Sequence, residues 1–281
     1  MQIKFTKMHG CANDYIYINC LDGMPFDPNE LAKVMSPRHF SVGADGVVCI
    51  CASDVADAKM RMFNLDGSEG KMCGNAIRCV GKYLYDNGIC QKEEITIETL
   101  SGIKTLALHV EDGAVASVTV QMGQATFEPK LIPIDDTEPA ILKEIEVAGK
   151  TWKTTAVSMG NPHSVIVTEG IDALDLEKIG PEFENLPYFP ERVNTEFIEV
   201  VDRRHIKMRV WERGSGETYA CGTGACGSVA ACVKNGFLDA NEQVAVDLIG
   251  GTLYIKCCDN FDIEMTGPAK KVYEGIFEYE N

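Results

Sequence analysis

Two cysteines stand in the same local setting, 148 residues apart. The segment MRMFNLDGSEGKMCGNAIRCVGKYLYDNG, Met60 to Gly88, aligns without a gap on MRVWERGSGETYACGTGACGSVAACVKNG, Met208 to Gly236. In that register Arg61 meets Arg209, Glu69 meets Glu217, Cys73 meets Cys221, and Asn87-Gly88 meets Asn235-Gly236. The same offset carries Asn13 onto Asn161 and Ile50 onto Ile198, so the chain reads as two copies of one unit. After each cysteine comes a glycine and then a stretch that is small or apolar on most sides of a helix, which predicts a buried helix with the thiol at its start. A thiol there meets unpaired backbone amides and the positive end of the dipole, and its pKa is expected to fall toward neutrality. The neighbours Gly74-Asn75 and Gly222-Thr223-Gly224 leave room for a carboxylate to approach those amides. Two acid/base groups facing one carbon are what racemisation needs. One thiolate removes the α-proton, the opposing thiol delivers one to the other face, and the helix starts stabilise the charge that develops on the carboxylate.

The other cysteines invite plainer readings. The chain has 281 residues and twelve cysteines, none in a C-x-x-C pair, which argues against a zinc ribbon, an iron–sulfur cluster or a thioredoxin-type site; no metal is expected. Cys49, Cys51, Cys79, Cys226 and Cys232 sit among Val, Ile and Ala and read as small core hydrophobes. His9, His39, His109 and His205 receive no catalytic role. The opening MQIKFTKMHG lacks an apolar signal core, and no stretch approaches the ~20 apolar residues of a membrane span, so a cytoplasmic protein with reduced thiols is the expectation. A formal charge of −16 disfavours nucleic acid and anionic membranes as partners, since both need clustered cations. No phosphate-cradling loop, metal triad or Schiff-base lysine is evident, so no cofactor is expected.

The elements that must position the thiols follow from periodicity. IKFTKM, GVVCI, KMRMFN, EITIETL, ASVTVQM, HSVIVT, NTEFIEVV, IKMRVWE and TLYIKCC alternate or run continuously apolar and predict strands. DPNELAKVM and LDLEKIG predict two minor helices. The fold class is therefore α+β: a duplicated domain, each half a mixed, barrel-like sheet wrapped around one central helix. The Pro- and Asp-rich stretch Phe127 to Ala140 lies between the copies, giving an N-terminal half at 1–126 and a C-terminal half at 127–267. The strand-like tail 268–281 is free to return to the first half.

The segments MHGCANDY, GADG, FNLDGSEGKMCGNAIRC, MGNPHSVIV, VNTEFIEVVDRRHIKMRVWERGSGETYACGTGACG and GPAKKVYEG together resemble the diaminopimelate epimerases over nearly the whole chain. That resemblance implies a pyridoxal-independent interconversion of LL- and meso-2,6-diaminopimelate in lysine synthesis, on a duplicated fold, as a homodimer. It implies Cys73 and Cys221 as the acid and base. Asn13, Asn64, Asn161, Asn194, Glu212 and Arg213 match positions that hold substrate, and the backbones of Gly74-Asn75 and Gly222-Thr223 match the carboxylate site. His163 and Glu212 match residues that tune the thiols, and Tyr273 a position linked to dimerisation. Arg213 offers a planar fork to a carboxylate and Glu212 an acceptor to an ammonium, which suits the far end of a diaminodicarboxylate. The chain departs from the family at Gly46, where many members carry Gln, and at Cys11-Ala12, which replaces Leu-Gly. Gly46 has no side chain to offer and takes no binding role.

Each residue also has an ordinary reading. A Glu-Arg pair is more often a solvated surface feature, and the Asn-Leu-Asp-Gly, Gly-Asn-Pro and Val-Asn-Thr contexts of Asn64, Asn161 and Asn194 suit turns and caps. His163 after Pro162 suits a structural loop, and Tyr273 simple packing. Rival functions are another paired-cysteine racemase, of the proline, hydroxyproline or histidine type, and a non-catalytic amino-acid-binding protein. Proline-type enzymes show His after MCG, where this chain has Asn75.

Overall fold

The computed structural model describes residues 1–279; the last two residues of the tail treated above as 268–281 lie outside them. The chain divides into two units, one comprising residues 1–121 with the chain from Thr266 onward, the other Met122–Met265.

The first unit is built from β1 (Gln2–Gly10), β2 (Asn13–Cys20), α1 (Pro28–Met35), β3 (Gly46–Cys51), β4 (Ala58–Asn64), β5 (Glu69–Gly70), α2 (Gly74–Asp86), β6 (Glu94–Thr99), β7 (Gly102–Glu111) and β8 (Ala114–Gln124). Its sheet is mixed: β2 runs parallel to β3 and β4 to β6, while β1–β2, β3–β4, β6–β7 and β7–β8 are antiparallel. Helix α2 packs on β1 and β2 at one end of this order and on β7 near the other, so the sheet curls round it. The fit leaves no spare volume on that face. A Cβ on Gly81 would lie 2.9 Å from Leu108 and 3.0 Å from Leu106.

The second unit repeats the plan with β9 (Lys143–Val147), β10 (Lys150–Ser158), β11 (Pro162–Val167), α3 (Leu176–Glu184), β12 (Asn194–Asp202), β13 (His205–Glu212), β14 (Gly216–Thr218), α4 (Gly222–Lys234), β15 (Gln243–Leu248), β16 (Gly251–Cys257) and β17 (Asp262–Pro268). Helix α4 packs on β10, β11, β12 and β16 and is almost wholly buried, as its small and apolar residues require. The stretch after Phe127 is no loose linker: Ile132, Ile134 and Ala140 join Ala156, Phe189 and Val193 in one buried cluster. The last strand, β18 (Lys270–Glu278), pairs antiparallel with β1.

The duplication extends to the pairing register. Tyr15 faces Gly46 across the parallel β2–β3 pair, and His163 faces Asn194 across the parallel β11–β12 pair. Ile50 faces Met60 and Ile198 faces Met208; Met62 faces Gly70 and Val210 faces Thr218. All three correspondences keep the sequence offset of 148. Because a one-residue slip would turn every side chain to the opposite face, shared register means shared placement of side chains within each unit.

Both central helices start and stop alike. Cys73 and Cys221 are the N-caps, in extended backbone, and their sulfurs accept from the amides of Ala76 at 3.5 Å and Gly224 at 3.3 Å. At the other end Gly88 (φ 68°) and Gly236 (φ 77°) take the left-handed conformation, and the amides of Ile89 and Phe237 reach back to the carbonyls of Leu84 and Cys232. The two minor helices form where expected, at Pro28–Met35 and Leu176–Glu184. No helix among the described residues is long and apolar enough to cross a membrane.

Candidate active site

In the first unit the site begins at the N-cap of α2. The Cys73 thiol donates to Asn13 Oδ1 at 3.2 Å, and Asn13 Nδ2 donates to Asp45 Oδ2 at 2.7 Å. Asn13 is placed by the tight β1–β2 turn, in which Gly10 pairs with Asn13 and both linking residues, Cys11 (φ 52°) and Ala12 (φ 65°), have left-handed backbone. Left-handed turns of this kind favour Asn and Gly, so Cys-Ala holds strain next to the thiol. Beneath it Asp14 lies 2.5 Å from Lys7 and 2.7 Å from Arg38, which also reaches Asp45 at 2.7 Å. Burial pushes the Asp45 carboxyl up, with Asp14 adding to it; at Asp14 burial acts the same way, but hydrogen bonds from Arg38 and Lys7 outweigh it and its pKa ends low. The α2 start is braced by Arg78, whose buried guanidinium donates to Gly74 O at 3.1 Å, Asn75 Oδ1 at 2.9 Å and Pro268 O at 3.2 Å. Asn64 closes a turn, its Nδ2 donating to Ser68 Oγ at 3.0 Å.

In the second unit the N-cap of α4 is more enclosed and more acidic. Cys221 Sγ lies 3.6 Å from Thr223 Oγ1, Asn161 Nδ2 donates to that hydroxyl at 3.3 Å, and His163 Nε2 meets Asn161 Oδ1 at 3.1 Å. Nδ1 of the same ring is 2.7 Å from Glu196 Oε1, and neither His163 nor Glu196 is exposed to solvent. His163 therefore belongs to a buried strand, not to a loop. Asn194 ties two segments together, its Nδ2 donating to Pro162 O at 3.1 Å and its Oδ1 accepting from the Arg213 amide at 2.9 Å. Glu212 and Arg213 part company. The Glu212 carboxylate accepts from Thr218 Oγ1 at 2.5 Å and bonds to the Cys221 thiol, while Arg213 Nη1 donates to Glu191 O at 2.7 Å.

The lowered thiol pKa expected at a helix start is not found at Cys221. Burial, then the carboxylates of Glu212 and Glu196, hold that thiol well above its ordinary value, and the hydrogen bonds from Thr223 and Gly224 do not offset them. Burial likewise raises Glu212, with Glu196 adding to it against Thr218, Cys221 and His163. A helix start supplies a modest field, whereas desolvation in a closed site costs the thiolate more.

The glycine at position 46 has a steric reason. A Cβ there would lie 2.1 Å from Phe63 O and 3.0 Å from the Tyr15 ring, so a side chain would require β3 to shift against β4 and Tyr15. Asp45, Arg78 and Glu196 were not singled out by sequence reasoning. The signal for Glu196 was present in the repeat, as a carboxylate inside an apolar strand matched to Val48. Tyr273 is 43% exposed on β18 and stacks edge-on to Phe5 at 5.9 Å. Among the described residues no group of three His, Cys, Asp or Glu side chains is arranged to hold a metal ion.

A family model described as diaminopimelate epimerase matches residues 5–128 and 155–272. A diaminopimelate epimerase of Acetivibrio thermocellus is 53% identical over 97% of this chain and 98% of its own. One of Desulfovibrio desulfuricans is 50% identical over 98% of each chain. Among solved structures, a Bacillus anthracis phenazine biosynthesis protein superposes with a TM-score of 0.74 at 19% identity, covering 99% of this chain and 100% of that one, which shows a shared fold.

Proposed function

Because the chain belongs to the diaminopimelate epimerase family, we propose that it inverts one α-carbon of 2,6-diaminopimelate, interconverting the LL and meso forms for lysine synthesis, with Cys73 and Cys221 as its acid and base. The observation that carries the assignment of the thiols is their identical station: each caps a buried helix, at matched positions of two repeats, with its sulfur beside the first-turn amides. One thiolate takes the α-proton as the C–H electron pair moves into the carboxylate system. The other thiol then delivers a proton to the opposite face, the α-ammonium being retained throughout, and the reverse reaction exchanges the roles.

The substrate carboxylate next to the reacting carbon is assigned to the amides of Gly74-Asn75 and Gly222-Thr223, where the helix dipoles oppose the developing charge. Asn13, Asn64, Asn161 and Asn194 are assigned to substrate polar groups, Arg213 to the distal carboxylate and Glu212 to an ammonium. Glu212 and His163, beside Cys221, tune that thiol as well. The raised pKa of Cys221 fits the thiol, the proton-donating form, as its resting state. The enzyme is further proposed to work in the cytoplasm as a homodimer, with Tyr273 at the contact.

The deciding experiment is α-hydrogen exchange of LL-diaminopimelate in deuterated water, with Cys73→Ala and Cys221→Ala alongside. Exchange at one centre is expected in the native enzyme, with epimerisation lost in both variants. Near-normal epimerisation by either variant would defeat the two-thiol reading, and turnover of proline or histidine in place of diaminopimelate would defeat the substrate.

A further inference from the structure

The two thiols are not equivalently surrounded. At Cys221 the chain of contacts runs from Sγ to Thr223, Asn161 and His163 and ends on Glu196 Oε1, at 3.6, 3.3, 3.1 and 2.7 Å in turn. Applying the repeat offset, Glu196 corresponds to Val48, which is also fully buried, so the fold asks for no carboxylate at that slot. A buried carboxylate is costly, and the Oε2 atom of Glu196 has no hydrogen-bond partner among the described residues. Space for it is made on the facing helix: a Cβ on Gly224 would lie 2.6 Å from Glu196 Oε1, and the slot matching Gly224 in the first unit is Ala76. The pair Val48 and Ala76 in one copy is thus Glu and Gly in the other, a coordinated exchange that admits a charge against the first turn of the helix Cys221 caps.

We propose that Glu196 is the positioning residue of the Cys221 thiol: it anchors the His163 ring through Nδ1–H and fixes the hydrogen-bonded chain that ends on Sγ. The titratable groups acting on Cys221 are Glu212 at the end of β13 and Glu196 on β12, with His163 on β11 held against Glu196 and near Glu212; after burial, the two carboxylates are what oppose the ionisation of the thiol. Glu196 touches no reacting atom. Its effect passes through His163, Asn161 and Thr223 and through its field at Sγ. The two central strands of the site, β11 and β12, are joined at this point by the His163–Asn194 register pair, so loss of the anchor frees the ring without unpairing the sheet.

The proposal rests on the reading of Cys221 as an acid–base group, and its test reads the thiol itself, so the two fail separately. In the full-length chain, alkylation of Cys221 and Cys73 by iodoacetamide is followed against pH by peptide mass spectrometry, in the native protein and in Glu196→Gln. The variant keeps volume and hydrogen bonding but loses the charge. Cys221 is expected to react about threefold or more faster near neutral to mildly alkaline pH, its profile moving to lower pH while that of Cys73 stays put. An unchanged Cys221 profile, a move to higher pH, or a change shared by both thiols overturns the proposal. Independently of any variant, nitrogen NMR of the native His163 ring is expected to show a proton on Nδ1; a bare Nδ1 overturns it as well.

Discussion

Arg209 grips Glu217 along one edge of its guanidinium, Nε to Oε1 at 2.8 Å and Nη2 to Oε2 at 3.0 Å, and directs its remaining Nη1 to the carbonyls of Ile171 and Leu174. The matched pair Arg61–Glu69 makes the same fork at 2.7 and 2.8 Å. Each fork holds the short hairpin that leads the chain toward a capping cysteine. A lysine cannot reproduce two parallel bonds. Arg61→Lys is therefore expected to cost about 1 kcal/mol and Arg209→Lys about 2 kcal/mol, because only the latter also removes the donor from Leu174 O and from Ile171 O, of which Ile171 O keeps the Leu174 amide. Urea unfolding of the two variants measures the difference; equal losses would show that the extra carbonyl contacts carry no weight.

The turn before Asn13 carries strain. Ala12, exposed and at φ 65°, sits where a residue without a Cβ is at ease. Ala12→Gly is expected to stabilise the chain by about 0.5–1 kcal/mol, relief of the left-handed backbone exceeding the added freedom of the unfolded state. The reading is a higher denaturation midpoint at unchanged slope, and a lower midpoint would refute it.

Buried thiols make the fold sensitive to alkali. Burial pushes Cys232 up to about 12 and Cys79 up to about 11. In the unfolded chain such thiols ionise near their ordinary value, so above it the unfolded state has shed protons the folded state retains. Stability is then fully present below the unfolded value and falls as pH rises toward the folded one. Each such thiol contributes a slope of up to about 1.4 kcal/mol per pH unit. Cys232→Ala should flatten the decline of stability between about pH 9 and 11 by that amount, whatever its uniform cost from lost packing. A decline as steep as in the native chain would place the alkaline sensitivity elsewhere.

Glu196 and Gly224 should be energetically coupled. Gly224→Ala drives a methyl group to 2.6 Å from Glu196 Oε1 and is expected to cost about 1–3 kcal/mol. In a Glu196→Val background, the combination found in the first unit as Val48 and Ala76, most of that cost should vanish. A double-mutant cycle in urea with a coupling below about 0.5 kcal/mol would indicate that the helix shifts instead.

Asn13 is the acceptor for the Cys73 thiol and is itself oriented by Asp45. With Cys73 as an acid–base group, Asn13→Ala should lower kcat/KM at least about tenfold, equivalent to about 1.4 kcal/mol, with a smaller effect on the denaturation midpoint. An activity loss no larger than the stability loss explains would reduce Asn13 to a turn residue.

Much of the architecture was readable in one dimension. The gap-free offset, the glycine after each cysteine and the Asn-Gly stops are local signals. They mark two helices whose starts and ends depend on contacts within a few residues, and the structure forms both as expected. The family motifs likewise lie in contiguous segments. What only the tertiary structure decided depends on which distant strands meet. Glu196 and His163 are 33 residues apart and become partners because β11 and β12 run side by side. The same enclosure reverses the thiol argument: a helix start alone lowers a cysteine's pKa, but burial against Glu212 and Glu196 raises it at Cys221. Gly46 reads in sequence as a missing contact, and only the closeness of Phe63 O shows that this backbone leaves no room for a Cβ there. Local propensity and repetition are written along the chain, while desolvation and steric exclusion are properties of the volume that the folded chain encloses.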